Sequence, residues 1–215
     1  MSLTFYGHPL SSYCQKVLIA LYENDTPFTW HVLGPEDPEA VAAFAGKWPL
    51  ERMPLLADGE RWIAESSIII EYLGRHFPGP VPMIPAEDEP ALGVRFMDRF
   101  FDNYVMTPMQ AIVSERIRPD GNPDPYGVER ARALLDKAYG WLDDMMATRE
   151  WAEGGALSLA DCAASPALFY ADKVHPLNGF ANVAAYLERL EALLSVARVR
   201  EEAQPYWHMF PFANG

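Results

Sequence analysis

Residues 78–85 run Pro78-Gly79-Pro80-Val81-Pro82-Met83-Ile84-Pro85, with a proline at four of eight positions. Each proline removes a backbone donor and crowds the preceding helical turn, so no regular helix or central strand crosses this stretch. It reads as a linker, and the residues on either side of it follow different periodicities.

Before the linker the pattern is mixed. Leu3-Thr4-Phe5-Tyr6 reads as a strand broken by Gly7-His8-Pro9, after which Val17, Leu18, Leu21 and Tyr22 recur at helical spacing. Residues 28–33 read as a second strand and residues 39–47 as a short alanine-rich helix. Residues 54–57 and 61–64 flank Asp58-Gly59, a hairpin signal, and residues 66–76 carry Ile69, Ile70 and Leu73 along one helical face. The order is β-α-β-α-β-β-α.

After the linker everything is helical by pattern. Residues 92–118 place Phe96, Met97, Phe100, Phe101, Tyr104 and Val105 at helical spacing, with a kink expected at Pro108. The stripe of Phe96, Phe100, Phe101 and Tyr104 is expected mainly in the core. Residues 128–148 repeat the period. Ser158 and Asp161 read as a capping box, with Leu157 and Cys162 as its staple. Residues 183–194 and 196–203 complete the set, before an aromatic tail at Tyr206-Trp207-His208-Met209-Phe210-Pro211-Phe212, expected as a packed strap or a lid. The expected organisation is an α/β domain over 1–78, a linker over 79–89 and an all-α domain over 90–215.

Net charge is −13, from 30 acidic against 17 basic residues. Phosphate-backbone binding needs clustered Lys and Arg, so nucleic acid is not an expected partner. The longest aliphatic run, Ile68-Ile69-Ile70, falls far short of the roughly 20 residues of a membrane span. No basic segment leads an apolar one at the N-terminus, and Cys14 and Cys162 lack metal-ligand spacing. A cytoplasmic protein without a metal is therefore expected.

Ser11-Ser12-Tyr13-Cys14 opens the first helix. Hydroxyls there sit beside the unpaired N–H groups and positive dipole end of the first turn, which stabilise an anion. Serine at a helix start is also an ordinary cap. Yet Ser11-x-x-Cys14 has the spacing of a redox Cys-x-x-Cys motif whose first sulfur is replaced by oxygen. A site with the anion-stabilising position but no nucleophile of its own suggests that the sulfur arrives on a ligand. Cys14, at the second position, is expected to be structural.

In order and spacing, residues 3–21, then Met53-Pro54 entering a strand, then Glu65-Ser66 opening a helix, resemble the thioredoxin-like N-terminal domain of cytosolic glutathione transferases. The character is that of a bacterial serine-type member with some zeta-, tau- and phi-like features. The linker, the helical second domain and the Ser158–Asp161 box are similar to the same family, so the resemblance spans nearly the whole chain.

That resemblance implies glutathione as co-substrate and Ser11, or its neighbour Ser12, as the hydroxyl that stabilises its thiolate. It implies a cis bond at Met53-Pro54, with the Met53 backbone pairing to the cysteinyl unit. Glu65 and Ser66 match the pair that binds the γ-glutamyl end. Arg52 and Lys47 are candidates for the glycyl carboxylate, although Trp48-Pro49-Leu50-Glu51-Arg52 departs from the family pattern and brings Glu51 nearby. His8, Leu10, Tyr104, Met109 and Trp207 are candidates to line a pocket for a small hydrophobic electrophile. A homodimer is implied, with Asp102 reaching the partner's γ-glutamyl amine. The alternatives are a zeta-like isomerase, a glutathione-dependent dehalogenase or peroxidase, and a non-catalytic ligand-binding scaffold. The zeta match stops early, because Tyr13 replaces that grouping's cysteine and Gln15 its tryptophan. No Gly-x-Ser-x-Gly elbow supports a hydrolase.

Overall fold

The computed structural model describes residues 3–213. Its N-terminal part runs β1 (Leu3–Gly7), α1 (Ser12–Glu23), β2 (Phe28–Val32), α2 (Pro38–Lys47), β3 (Leu55–Asp58), β4 (Arg61–Ala64) and α3 (Ser66–His76). The strands form one sheet in the order β2-β1-β3-β4, with β1 parallel to β2 and antiparallel to β3, and β3 antiparallel to β4. Parallel β1 and β2 need a crossover, and α1 supplies it.

Strand alternation gives the sheet two different faces. Leu3, Phe5, Leu56 and Ile63 join the main core with Val17 and Leu18 of α1 and Ile69 and Ile70 of α3. Tyr6, Leu55 and Ala57 point the other way and pack with Ala40 and Phe44 of α2. Gly7 ends β1 where a Cβ would lie 2.5 Å from the buried Cys14 sulfur, so only glycine lets the strand meet the helix this closely.

The helical part comprises α4 (Asp88–Phe100), α5 (Thr107–Arg116), α6 (Pro125–Met146), α7 (Leu159–Val174), α8 (Ala181–Glu191) and α9 (Leu194–Ala203), with a 3₁₀ segment at Gln204–Met209. A π-helical stretch, Phe101–Met106, joins α4 to α5. The expected single helix with a kink at Pro108 is thus a helix whose hydrogen bonds widen just before that proline. Pro108 has no N–H and its ring would press on the carbonyl four residues back. The wider turn relieves this, and the Thr107 N–H reaches back to the Asp102 carbonyl, which also accepts from Thr107 Oγ1 at 2.9 Å.

The aromatic stripe divides. Phe100 and Phe101 are buried, whereas Phe96 and Tyr104 are 53% and 47% exposed. This corrects the expectation of a common core: the period places the first two against α7's side of the bundle and leaves the others on the outer face. The capping box at Ser158 and Asp161 starts α7, whose residues are buried along most of its length against α1. Among the described residues no helix is long and apolar enough to cross a membrane, and no group of three potential metal ligands assembles.

Candidate functional site

The chain leaves β1 at Gly7 and turns through Pro9 into α1. His8 Nδ1 accepts from the Leu10 N–H at 3.2 Å, and the Ser11 N–H donates to the His8 carbonyl at 2.9 Å. Ser11 caps α1 from extended backbone, its Oγ accepting from the Cys14 N–H at 3.3 Å. As an acceptor toward the helix, the hydroxyl keeps its proton for a partner on the open side. Ser12 is buried at 7% exposure and does not line the cleft. Cys14 is fully buried, and burial pushes its thiol up to about 12, so it holds its proton at neutral pH.

Facing Ser11 across a cleft of about 520 Å³ are the loop before β3 and the start of α3. The Met53-Pro54 bond is cis. Arg52 and Glu51 stand on the rim, and Glu51 has a φ of 50°. Glu65 caps α3 with a φ of 71° and makes no side-chain capping bond, so its carboxylate is left to the cleft. Backbone in this left-handed region is rare outside glycine and concentrates where function demands it. The N-termini of α1 and α3 thus open onto one cavity, and both dipoles favour an anion there.

The third wall comes from the helical domain: Arg99, Asp102, Asn103 and Gln110. Beneath it lies a buried charge cluster. Lys16 Nζ, on α1, sits 2.5 Å from Asp98 Oδ1 and 3.0 Å from Asp102 Oδ2, and also donates to Ser67 Oγ at 3.0 Å. Arg99 bridges Asp98 at 2.8 Å and contacts Asp102. Two cations offset two carboxylates, which lets the charges be buried at all. Asp102 is therefore engaged by its own chain's Lys16 and Arg99. Tyr13 faces the same cleft, and burial, reinforced by the Asp102 charge, pushes its phenol up to about 12. It remains a neutral donor.

Ser11, Arg52, Met53, Pro54, Glu65 and Ser66 come together around this cavity. The other candidates lie elsewhere. Lys47 sits 5.7 Å over the Trp62 ring. His8 packs edge-on against Tyr206 with ring centroids 4.8 Å apart, and burial lowers its pKa. Leu10 turns its carbonyl to the Tyr170 hydroxyl. Tyr104 leans on Phe100 at the exposed surface, Met109 is a 4% exposed core residue, and Trp207 lines a second groove. Tyr13, Arg99, Asn103 and Gln110 were not singled out for this cleft. Tyr13 lies two residues beyond Ser11 in the first turn of α1, the one available signal. Arg99 and its neighbours reach the cavity only through docking of the two domains.

Residues 5–81 match the family model for the glutathione S-transferase N-terminal domain, and residues 125–189 match the model for the C-terminal domain. A probable maleylacetoacetate isomerase of Vibrio cholerae is 27% identical over 95% of this chain and 98% of its own. FtsZ-localized protein A of Caulobacter vibrioides is 28% identical over 79% of this chain and 77% of its own. A glutathione S-transferase crystal structure from Methylobacillus flagellatus, with glutathione bound, superposes with a TM-score of 0.83 at 23% identity. It covers 92% of this chain and 98% of that one.

Proposed function

Since the chain belongs to the glutathione S-transferase family, we propose that its cleft binds glutathione and that Ser11 activates the thiol for attack on a small hydrophobic electrophile. The observation that carries this reading is the convergence of the Ser11 hydroxyl, the Met53 backbone and the Glu65-Ser66 turn on one cavity. The γ-glutamyl ammonium would meet Glu65, its carboxylate the α3 N-terminus at Ser66, and the glycyl carboxylate Arg52 on the opposite rim.

The chemistry can be sized. A free thiol titrates near 8.5, so only a few per cent is thiolate at neutral pH. A hydrogen bond to a charged acceptor contributes about 1.5–3 kcal/mol, and the helix dipole about 0.3–1 kcal/mol. At about 1.4 kcal/mol per pK unit, the bond alone lowers the thiol by roughly one to two units. One serine is enough to make bound glutathione mostly thiolate near pH 7. Nothing in this scheme needs Cys14.

A second reading has support in the near full-length likeness to the probable maleylacetoacetate isomerase. The same thiolate would add to a conjugated double bond, allow rotation about it, and leave again with no net consumption of glutathione. The serine, the cavity and the thiolate are common to both. We further propose that two copies of the chain pair through the exposed apolar side chains of α4 and α6.

Calorimetric titration with glutathione, followed by conjugation of a panel of aryl halides and conjugated enones, tests the proposal. Micromolar-to-millimolar binding and turnover that depends on Ser11 are the expected results. Binding without turnover of any electrophile would favour the scaffold, and absence of glutathione binding would overturn both enzymatic readings.

A further inference from the structure

The loop before β3 borders two spaces. On one side Glu51 and Met53 face the Ser11 cleft, and on the other they close a groove of about 540 Å³ against α2 and the turn after β2. Arg52, Glu65 and Ser66 belong to the cleft alone, so the groove lies on the side of Met53 away from α3. Met53 is half-buried and packs against both the main core and the smaller cluster under α2, which makes it the sill between the two spaces.

The groove is apolar. Leu33 and Phe44 are buried at its base, and Val41, Ala42 and Ala45 of α2 stand along it. Among the described residues that line it, Glu51 is the only charged one. Lys47, on the last turn of α2, is turned to the Trp62 ring instead. Glu51 is held at the sill by its backbone: its φ is 50°, and its N–H donates to the Trp48 carbonyl at 2.9 Å.

In the binding mode proposed above, the γ-glutamyl end lies on α3, the sulfur at Ser11 and the cysteinyl backbone on Met53. The remaining end of the tripeptide leaves Met53 on the side away from α3, toward Glu51 and the groove. A free carboxylate carried past Met53 meets a like charge and apolar walls, with no cation there to receive it. A neutral apolar group meets surface that it can bury.

We propose that the thiol co-substrate of this protein is extended beyond glycine. It is a γ-glutamylcysteinylglycine whose terminal carboxyl is joined through an amide to an apolar group. That group lies in the groove between α2 and Glu51, and the glycyl carbonyl accepts from Arg52. Free glutathione fills the cleft and leaves the groove empty. This inference rests on the glutathione reading of the cleft and deepens it by naming the class of thiol.

Calorimetric titration of the full chain with glutathione and with its glycyl N-methyl, N-butyl and N-hexyl amides tests it. Affinity should rise along the amide series, the hexyl amide binding about tenfold or more tighter than the methyl amide. Ala45→Gln puts a longer, neutral polar side chain against the groove. It should cut that ratio to about threefold or less and leave free glutathione within about twofold of wild type. Val41→Asn, at an exposed position on the same wall, should also cut the ratio, independently of how Ala45→Gln folds. Glu51→Gln removes the like charge and should tighten free glutathione by about threefold, with less effect on the hexyl amide. Unchanged or weakened glutathione binding in Glu51→Gln would overturn the part assigned to that carboxylate. Equal affinity for the methyl and hexyl amides, or a ratio that both Ala45→Gln and Val41→Asn leave intact, would overturn the groove while glutathione binding still stands. Absence of binding by glutathione and by every amide would overturn both.

Discussion

Ser11 has two tasks that pull on one oxygen. It accepts from the Cys14 N–H as the cap of α1, and in the proposed mechanism it donates its proton to sulfur. Ser11→Ala removes both, and the two losses are separable. Loss of the cap should cost about 1 kcal/mol of stability, read from urea unfolding. Loss of the donor should raise the thiol pKa of bound glutathione by about one to two units, followed by thiolate absorbance against pH. Glutathione affinity should fall much less, because Glu65, Ser66 and the Met53 backbone are untouched. Activity lost at pH 7 should return in part at pH 9, as the raised thiol pKa requires. Ser12→Ala is the control and should be mild, since Ser12 is buried away from the cleft. Cys14 gives an opposite test. With its thiol pushed up to about 12 by burial, alkylation of the native protein at pH 8 should be far slower than in urea, and Cys14→Ala should keep turnover. The residues around Ser11 were legible in the sequence because they lie in short motifs that specify their own backbone. Arg99 and Gln110 were not, because what brings them to the cavity is the ion pairing of Lys16 with Asp98 and Asp102 across the domain junction. No local pattern encodes a pair of residues more than eighty positions apart.

At the scale of elements, α2 and α7 show how differently two caps behave. Asp161 at the start of α7 accepts from the Ala152 N–H and the Tyr186 hydroxyl on one oxygen, at 2.9 and 2.6 Å, and from Ser158 on the other. Asp161→Ala leaves several buried donors without a partner and should cost about 3 kcal/mol or more, measured as a fall in urea midpoint at unchanged slope. Asp37, capping α2, is half-buried, and its carboxyl is held below the ordinary range first by His31 and then by the Ala40 N–H. A carboxyl with a lowered folded pKa adds stability above its unfolded pKa and loses it as pH falls through the folded value. Protection factors for the amides across Pro38–Lys47 should therefore fall as the solution is acidified below pH 4, and Asp37→Ala should show the lowered protection already at pH 7. The Ser158–Asp161 box was readable in the sequence, since a cap is local chemistry, whereas the Asp37 cap, one residue ahead of Pro38, was not singled out. The π-helical turn at Phe101–Met106 was not readable either. Pro108 announced a disturbance, but whether a helix kinks or widens depends on what packs against it, here Phe101 and Val105 held in the core.

Across the whole molecule, the two domains share one core, so the cavity's walls are as rigid as the junction between them. That junction packs α1 against α7 and α9, with Lys16 of α1 paired to Asp98 of α4, and the outer face of the helical domain is left with exposed apolar side chains. Leu92 and Phe96 are 61% and 53% exposed on α4, and Trp141 on α6 is 44% exposed while packing edge-on to Phe96 with centroids 6.1 Å apart. Tyr104 and Phe100 continue the same aromatic run, 5.7 Å apart. Contiguous exposed aromatics of this kind mark an interaction surface, and a surface used by two copies of one chain must be self-complementary about a two-fold axis. The ring-rich, charge-poor centre of such a patch is where binding energy concentrates. Sedimentation velocity at micromolar concentration should give a dimer. Phe96→Glu places a carboxylate at the centre of the patch, where burial without a partner costs several kcal/mol, and should shift the population to monomer. Because Phe96 is exposed within one chain, the variant should keep its secondary structure and unfolding cooperativity. A monomeric wild type, or a Phe96→Glu variant that still sediments as a dimer, would remove this face as the pairing surface.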